Sequence, residues 1–253
     1  MRGFEIVCEV EPPTRPDLMH VRHQIGVLSK IASAFLIPDN HIGRATVSSI
    51  AVAHEVERMG GRAIACINAR DRNLLGFRRD LLTAAAYGVD QFLLVFGDAP
   101  TTGLRTGQLT VRSMLSEVRN FAETASHPLR AIAAARLGPL PAWKRDADAL
   151  FVQVSFDIDA LLRWRESVSY DGAVYAGVIV LPSTGMATKL ASDIPEIEIP
   201  ASHLEAIDRD RDAGVALACE QVLSLRDTGA FDGVHLIPVT RYREVAARLE
   251  RDL

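Results

Sequence analysis

Gln91-Phe92-Leu93-Leu94-Val95-Phe96-Gly97-Asp98 is an almost wholly apolar run stopped by a glycine and a carboxylate. A strand this apolar is buried on both faces, which is the habit of a parallel sheet covered by helices. Helical patterns flank it. Leu74, Leu75, Phe77, Leu81, Leu82 and Ala85 recur at helical spacing before it, and Gly88 closes that helix. After it, Thr110 is placed to cap a helix carrying Val111, Met114, Leu115, Val118 and Phe121. The Gly- and Thr-rich stretch 99–109 reads as the loop between.

The same alternation extends in both directions. Upstream, the strand-like runs are about Phe4–Val10, Ala34–Ile37 and Ala63–Asn68. Between them lie a helix N-capped by Asp17 and a second one from about Val47 to Met59. Downstream, the runs are about Leu129–Ala135, Ala149–Val154, Val174–Leu181 and Gly233–Ile237. A short segment at Trp143–Ala147 and a helix from about Asp157 to Glu166 join the first three. The stretch Asp193–Pro200 reads as irregular, Ser202-His203-Leu204-Glu205 as a capping box, and Val215, Ala218, Val222 and Leu225 as one face of a long helix. A charged helix runs from Arg241 to the end. Eight β-runs, each followed by a helical pattern, predict an α/β fold that closes into a single-domain (β/α)8 TIM barrel over residues 1–253, with a doubly wound open sheet as the alternative.

Composition narrows the function classes. The chain has 253 residues, 48% of them apolar, which supports a sizeable core. A net charge of -4 argues against nucleic acid as the main ligand, because phosphate binding needs a basic face. No apolar run approaches the ~18–20 residues that cross a bilayer, so no membrane is expected. The cysteines, Cys8, Cys66 and Cys219, are odd in number and sit in apolar segments without Cys-x-x-Cys spacing, as free thiols do in a reducing cytoplasm. Strand-like sequence begins within about four residues of the start, so no signal peptide is expected.

In a barrel of this kind the working residues sit on the loops after the strands. Those positions hold Glu9 and Glu11, Asp39 and Asn40, Arg70 to Asn73, Asp98, Arg136, Gln153, Ser183 and Thr240. Acids and amides with few aromatics suit a polar heterocycle better than a lipid or a metal. Gly97 at a strand end lets a ligand approach the backbone, and the Asp98 carboxylate accepts two hydrogen bonds from an amino-pyrimidine-like edge. Gln153 both donates and accepts, as a pterin requires. His20-Val21-Arg22-His23 has HxxH spacing but belongs to the helix after the first strand, and the remaining histidines form no ligand set, so no metal is expected. GxGxxG, GxxxxGK[ST] and GxSxG are all absent.

Several of these stretches together resemble the catalytic domain of methylenetetrahydrofolate reductase. Cys8-Glu9-Val10-Glu11-Pro12-Pro13 is similar to that family's FEFFPP, with Glu9 on its acid. Leu94-Val95-Phe96-Gly97-Asp98-Ala99-Pro100 resembles LRGDPP, and Lys144 through Gln153 resembles KxxAGADFxxTQ with one residue fewer. Phe151–Asp157 resembles TQFFFD, Gly177–Pro182 resembles PGIMP, and Gly233-Val234-His235-Leu236 resembles GxHFYTLN.

The resemblance implies reduction of 5,10-methylenetetrahydrofolate to 5-methyltetrahydrofolate with NAD(P)H, in one-carbon and methionine metabolism. Glu9 becomes the general acid. Asp98 holds the pterin and stabilises the developing cation. Gln153 bonds the pterin edge, with Glu11 alongside in the substrate site. FAD carries the hydride in most of the family, and Asp39, Asn40, Arg70, Gly97 and Lys144 take the cofactor positions.

The flavin side departs from the pattern. TYGA is replaced by Ile37-Pro38-Asp39-Asn40, the histidine of HLTC is missing at Ala63–Cys66, and the stacking aromatic falls on Ile207. A protein with little FAD is therefore expected, with hydride passing through altered flavin binding or directly from NAD(P)H. Two other readings remain: a methyltransfer component that binds folate beside a corrinoid partner, and a non-catalytic folate-binding subunit. A homo-oligomer or a one-carbon-pathway partner protein fits each of them. Retention of Glu9 favours chemistry, since binding alone needs no general acid.

Overall fold

The computed structural model describes residues 3–98, 102 and 106–252. Its strands are β1 (Glu5–Glu9), β2 (Ala34–Ile37), β3 (Ala63–Asn68), β4 (Gln91–Val95), β5 (Arg130–Ala135), β6 (Ala149–Val152), β7 (Ala173–Ile179) and β8 (Gly233–Ile237). All are parallel, and they close in chain order, with β8 returning to β1. The helices are α1 (Met19–Leu28), α2 (Ser49–Arg58), α3 (Leu74–Ala86), α4 (Val111–Ala125), α5 (Ile158–Ser167), α6 (Thr184–Asp193), α7 (Ala201–Arg209), α8 (Ala213–Thr228) and α9 (Tyr242–Asp252). The expected (β/α)8 TIM barrel is the observed fold, and the open sheet is excluded by the β1–β8 pairing.

Strand alternation divides the core in two. Val7, Leu36, Cys66, Leu93, Phe151 and Tyr175 belong to a cluster built from strand residues alone, the barrel interior. Their neighbours Ile6, Cys8, Phe35, Ile67, Phe92 and Leu94 pack with helix residues such as Ile25, Val56, Phe77 and Leu81. On β1, β3 and β6 period-two alternation makes the next inward residue polar: Glu9 after Val7, Asn68 after Cys66, Gln153 after Phe151. The polar rim is thus set by the same pattern that fills the barrel.

Caps hold the loops of that rim. Thr110 and Ser113 make a reciprocal capping box, as expected of Thr110. Asn73 Oδ1 accepts from Gly76 N at 2.8 Å, and Asp157 Oδ1 accepts from Ala160 N at 2.9 Å. Each such cap contributes about 1 kcal/mol.

Three expectations need correction. The helix after β7 is not one but three, because Thr184–Asp193 is helical behind a Ser183 cap. Its glycine and threonines are poor helix formers, which hides it in the sequence. The Ser202 capping box does not form: α7 starts at Ala201 directly after Pro200, whose fixed φ of -59° already suits a helix start. Asp17 caps from one residue further out, accepting from Met19 N at 2.9 Å while Leu18 holds the cap position. The short segment expected at Trp143–Ala147 is the 3-10 turn Ala142–Asp146 between β5 and β6. The loop expected over 99–109 lies largely outside the described residues.

The floor of the barrel carries a charged plug. Glu5 meets Arg62 at 2.8 Å and the Tyr175 hydroxyl at 2.5 Å. Burial raises the Glu5 carboxyl pKa, but Arg62 and Tyr175 outweigh it and the net shift is downward. A carboxyl with a depressed folded pKa adds stability above its unfolded value of about 4.3, and that stability is lost as pH falls through the folded pKa. Glu5→Gln should therefore cost stability at neutral pH and less at pH 3. Equal losses at both, measured by urea unfolding, would remove the plug from the acid response.

Candidate functional site

The upper mouth of the barrel gathers Glu9 and His235 and, one layer down, Cys66 and Phe151, with Gln153 two residues past Phe151. Glu9 is the last residue of β1 and His235 lies inside β8, the strand beside it. Their side chains meet with Nε2 to Oε2 at 3.1 Å. The contact is close but off the line of a hydrogen bond, which leaves His235 Nε2 buried without a bonded partner. An orphaned polar atom of this kind in a mouth is one that an incoming ligand can satisfy. The His235 ring also lies against Phe151, centroids 5.4 Å apart and tilted by 38°. Beneath the pair, burial pushes the Cys66 thiol pKa up, and the Asp39 and Glu9 carboxylates push it further. Cys66 is therefore a neutral thiol and not a nucleophile.

The other expected residues divide into three groups. Gln153 comes directly after β6 facing inward, and its Oε1 accepts from Val154 N at 3.1 Å. Asp98 is exposed on the β4 side of the same rim. Gly97 before it has φ +93°, and a Cβ there would lie 2.8 Å from the Cβ of Asn68, so only glycine fits the turn. Glu11 is exposed two residues beyond the end of β1.

Asp39 and Asn40 are committed to the protein. Asp39 Oδ2 accepts from Asn68 N at 3.0 Å, Asn68 Nδ2 at 2.7 Å and Arg72 Nη1 at 2.5 Å. Asn40 Nδ2 donates to Asp71 at 2.9 Å. Arg72 also reaches Asp80 at 2.7 Å. Asp39 Oδ2 and the Asn40 side chain tie the β2 and β3 loops together. Ile207 is buried in an apolar cluster with Leu181 and Ile197.

Arg70 is buried with its guanidinium 4.9 Å over the Phe96 ring. Its Nε and Nη1 have no hydrogen-bond partner. Lys144 donates to Ala134 O at 2.6 Å, and burial followed by the charge of Arg136 lowers its pKa.

A cavity of about 290 Å³ opens beside the mouth, between the β5 and β6 loops, the start of α5 and the segment 196–198. Among the described residues no three His, Cys, Asp or Glu side chains converge as a metal group. His20 and His23 instead pack edge-on against Tyr242 of α9. No described helix is long and apolar enough to cross a membrane.

Sequence reasoning missed His235 as a site residue, since it was one of several scattered histidines. Its signal was positional: it stands in the last strand, on the inward phase.

Neither a family model nor a curated protein matches the chain. Solved structures do. A protein from Clostridium thermocellum that binds two copies of 5-methyl-5,6,7,8-tetrahydrofolic acid superposes with TM-score 0.67 at 13% identity, covering 99% of this chain and 95% of that one. Tryptophan synthase from M. tuberculosis in an open form gives TM-score 0.57 at 13% identity, covering 99% and 92%. The tryptophan synthase complex from Pyrococcus furiosus gives 0.52 at 14% identity, covering 86% and 96%. At these identities the likeness establishes the barrel fold.

Proposed function

We propose that the barrel mouth binds a reduced folate and that the chain reduces 5,10-methylenetetrahydrofolate to 5-methyltetrahydrofolate with hydride from NAD(P)H. The observation that carries this is Glu9, an inward carboxylate at the end of β1 in contact with His235. A carboxylic acid there donates its proton to N10 as the C–N10 bond of the methylene bridge breaks. The electron pair of that bond goes to N10, leaving a 5-iminium cation. The Asp98 carboxylate stabilises the positive charge, and Gln153 bonds the pterin edge. Hydride then adds to the methylene carbon. The His235 ring next to Glu9 supplies a route by which the acid is reprotonated. Direct transfer from the nicotinamide is favoured by the pairing of Asp39 Oδ2 and Asn40 Nδ2 within the protein.

The folate part of the reading draws support from the Clostridium thermocellum protein, which shares the fold and binds 5-methyltetrahydrofolate. That protein is described only as binding folate, which favours a second reading, a folate-binding or methyltransfer component without reduction.

One pair of measurements separates the two. The purified protein should lack a stoichiometric flavin absorption band, and it should oxidise NADH or NADPH when methylenetetrahydrofolate is added. Tight 5-methyltetrahydrofolate binding with no nucleotide oxidation would favour the binding component. A full flavin band would overturn the direct transfer.

A further inference from the structure

The geometry points to Arg70 as the anchor for the carboxylate tail of the folate, with the exposed ring of Phe96 beside it receiving the benzoyl group. This placement rests on the folate reading of the mouth and does not require the reductase step.

Among the described residues Arg70 is the one charged residue that is buried, at 8% exposure. Its Nε and Nη1 have no hydrogen-bond partner. Its neighbour Arg72 shows the contrast, being matched by both Asp39 and Asp80. A buried cation without a counter-ion costs stability, and an orphaned donor at a barrel mouth is one that a ligand can satisfy. The position of this cation is fixed. Arg70 N donates to Phe96 O at 3.1 Å, continuing the β3–β4 pairing past the strand ends, and Arg70 O accepts from Thr106 N at 3.1 Å. The group therefore stands at the same end of the barrel as Glu9.

Phe96 follows β4 directly, is 50% exposed, and lies with its ring 4.9 Å from the guanidinium carbon. An open aromatic ring next to an unpaired guanidinium matches an aryl group that carries a carboxylate. Aromatic rings pack edge-to-face or offset, and a carboxylate accepts two parallel hydrogen bonds from arginine. Nε and Nη1 are covered in the free chain, and the half-exposed Phe96 is the neighbour that gives way as the tail enters.

The reach is consistent with the chemistry at Glu9. Only β2 separates β1 from β3, so Glu9 and the end of β3 lie roughly 10 Å apart at the usual strand spacing. With N10 of the folate over Glu9, the para-aminobenzoyl group spans that gap and delivers the glutamate carboxylates to Arg70. The pterin then extends the other way, toward Gln153 on the β6 side. The diphosphate of a nicotinamide nucleotide is the competing source of an oxyanion, and the test separates the two.

That test is equilibrium binding to the full chain by calorimetry, with 5-methyltetrahydrofolate, 6-methyltetrahydropterin (which lacks the benzoylglutamate) and NADH, each alone. Arg70→Met keeps the length of the side chain and removes the charge; Arg70→Lys keeps the charge and loses the fork. Arg70→Met should weaken 5-methyltetrahydrofolate about tenfold or more, a change of 1.4 kcal/mol, and change the tetrahydropterin and NADH less than about twofold. Arg70→Lys should fall between wild type and Arg70→Met. The midpoint of urea unfolding should not drop in Arg70→Met, because an unpaired charge is being removed. Unchanged 5-methyltetrahydrofolate affinity in Arg70→Met overturns the placement. Tetrahydropterin weakened as much as the folate, or a lowered unfolding midpoint with both lost, makes Arg70 a structural residue and also overturns it. Weakened NADH with folate unaffected gives Arg70 to the nucleotide and overturns the tail assignment. Wild-type protein that binds no 5-methyltetrahydrofolate overturns the folate reading and this placement together, whereas tight wild-type binding that ignores both substitutions sinks the placement alone.

Discussion

Glu9→Gln is expected to slow methylenetetrahydrofolate reduction by ~10²–10⁴ and to leave 5-methyltetrahydrofolate affinity within about threefold, as losing a general acid does. Glutamine keeps the size and hydrogen-bonding reach of the side chain and removes the acidic proton. The product, whose bridge is already open, makes no demand on that proton, so its binding should barely change. Glu11→Gln is the matched control. Glu11 lies exposed beyond the strand, so the same substitution there should alter turnover by less than about threefold. Comparable losses at both positions would mean that the two acids act together. Normal turnover in Glu9→Gln with a large loss in Glu11→Gln would move the acid to Glu11. A steady-state comparison on both variants, with NADPH and NADH, decides among these.

The barrel was legible because each strand carries its own evidence. Apolar runs such as Gln91–Phe96 and Val174–Leu181 report burial on both faces, and helix spacing between them reports the cover. The rim was legible for a related reason: the C-terminal ends of barrel strands open on the mouth, and Glu9, Asp98 and Gln153 all stand at or just past such ends. The part that escaped is non-local. Glu9 and His235 are separated by nearly the whole chain and become neighbours only because β8 closes onto β1. No local pattern announces a closure. The pairing of Asp39 with Arg72 escaped for the same reason. A carboxylate after a strand reads equally as a ligand group or a loop tie, and only the three donors around Asp39 identify it as a tie.

That tie makes the second large prediction. Arg72→Ala should destabilise the fold by about 3–5 kcal/mol, the range for breaking a buried ion pair by removing one partner. Arg72 side-chain exposure is 14%, against 4% for Asp39 and 13% for Asp80. Burial alone lowers the guanidinium pKa, but Asp39 and Asp80 raise it further, so the arginine stays charged. Removing it leaves two poorly exposed carboxylates without its guanidinium, with Asn68 as the remaining donor to Asp39 and Arg79 to Asp80. Asp39→Asn should cost less, because Arg72 keeps Asp80 and the amide oxygen still accepts from Asn68. Urea unfolding of the two single variants and the double variant gives the coupling between positions 39 and 72. A coupling below about 0.5 kcal/mol would mean the contact is not a tie and would free Asp39 for a ligand. The network also bears on the mouth, since Asn68 meets Gly97 and the Asp39 field reaches Cys66 beneath Glu9. Arg72→Ala should therefore weaken 5-methyltetrahydrofolate binding even at temperatures where the variant is fully folded, whereas an exposed pair such as Lys189–Asp193 can be removed without effect on either measure.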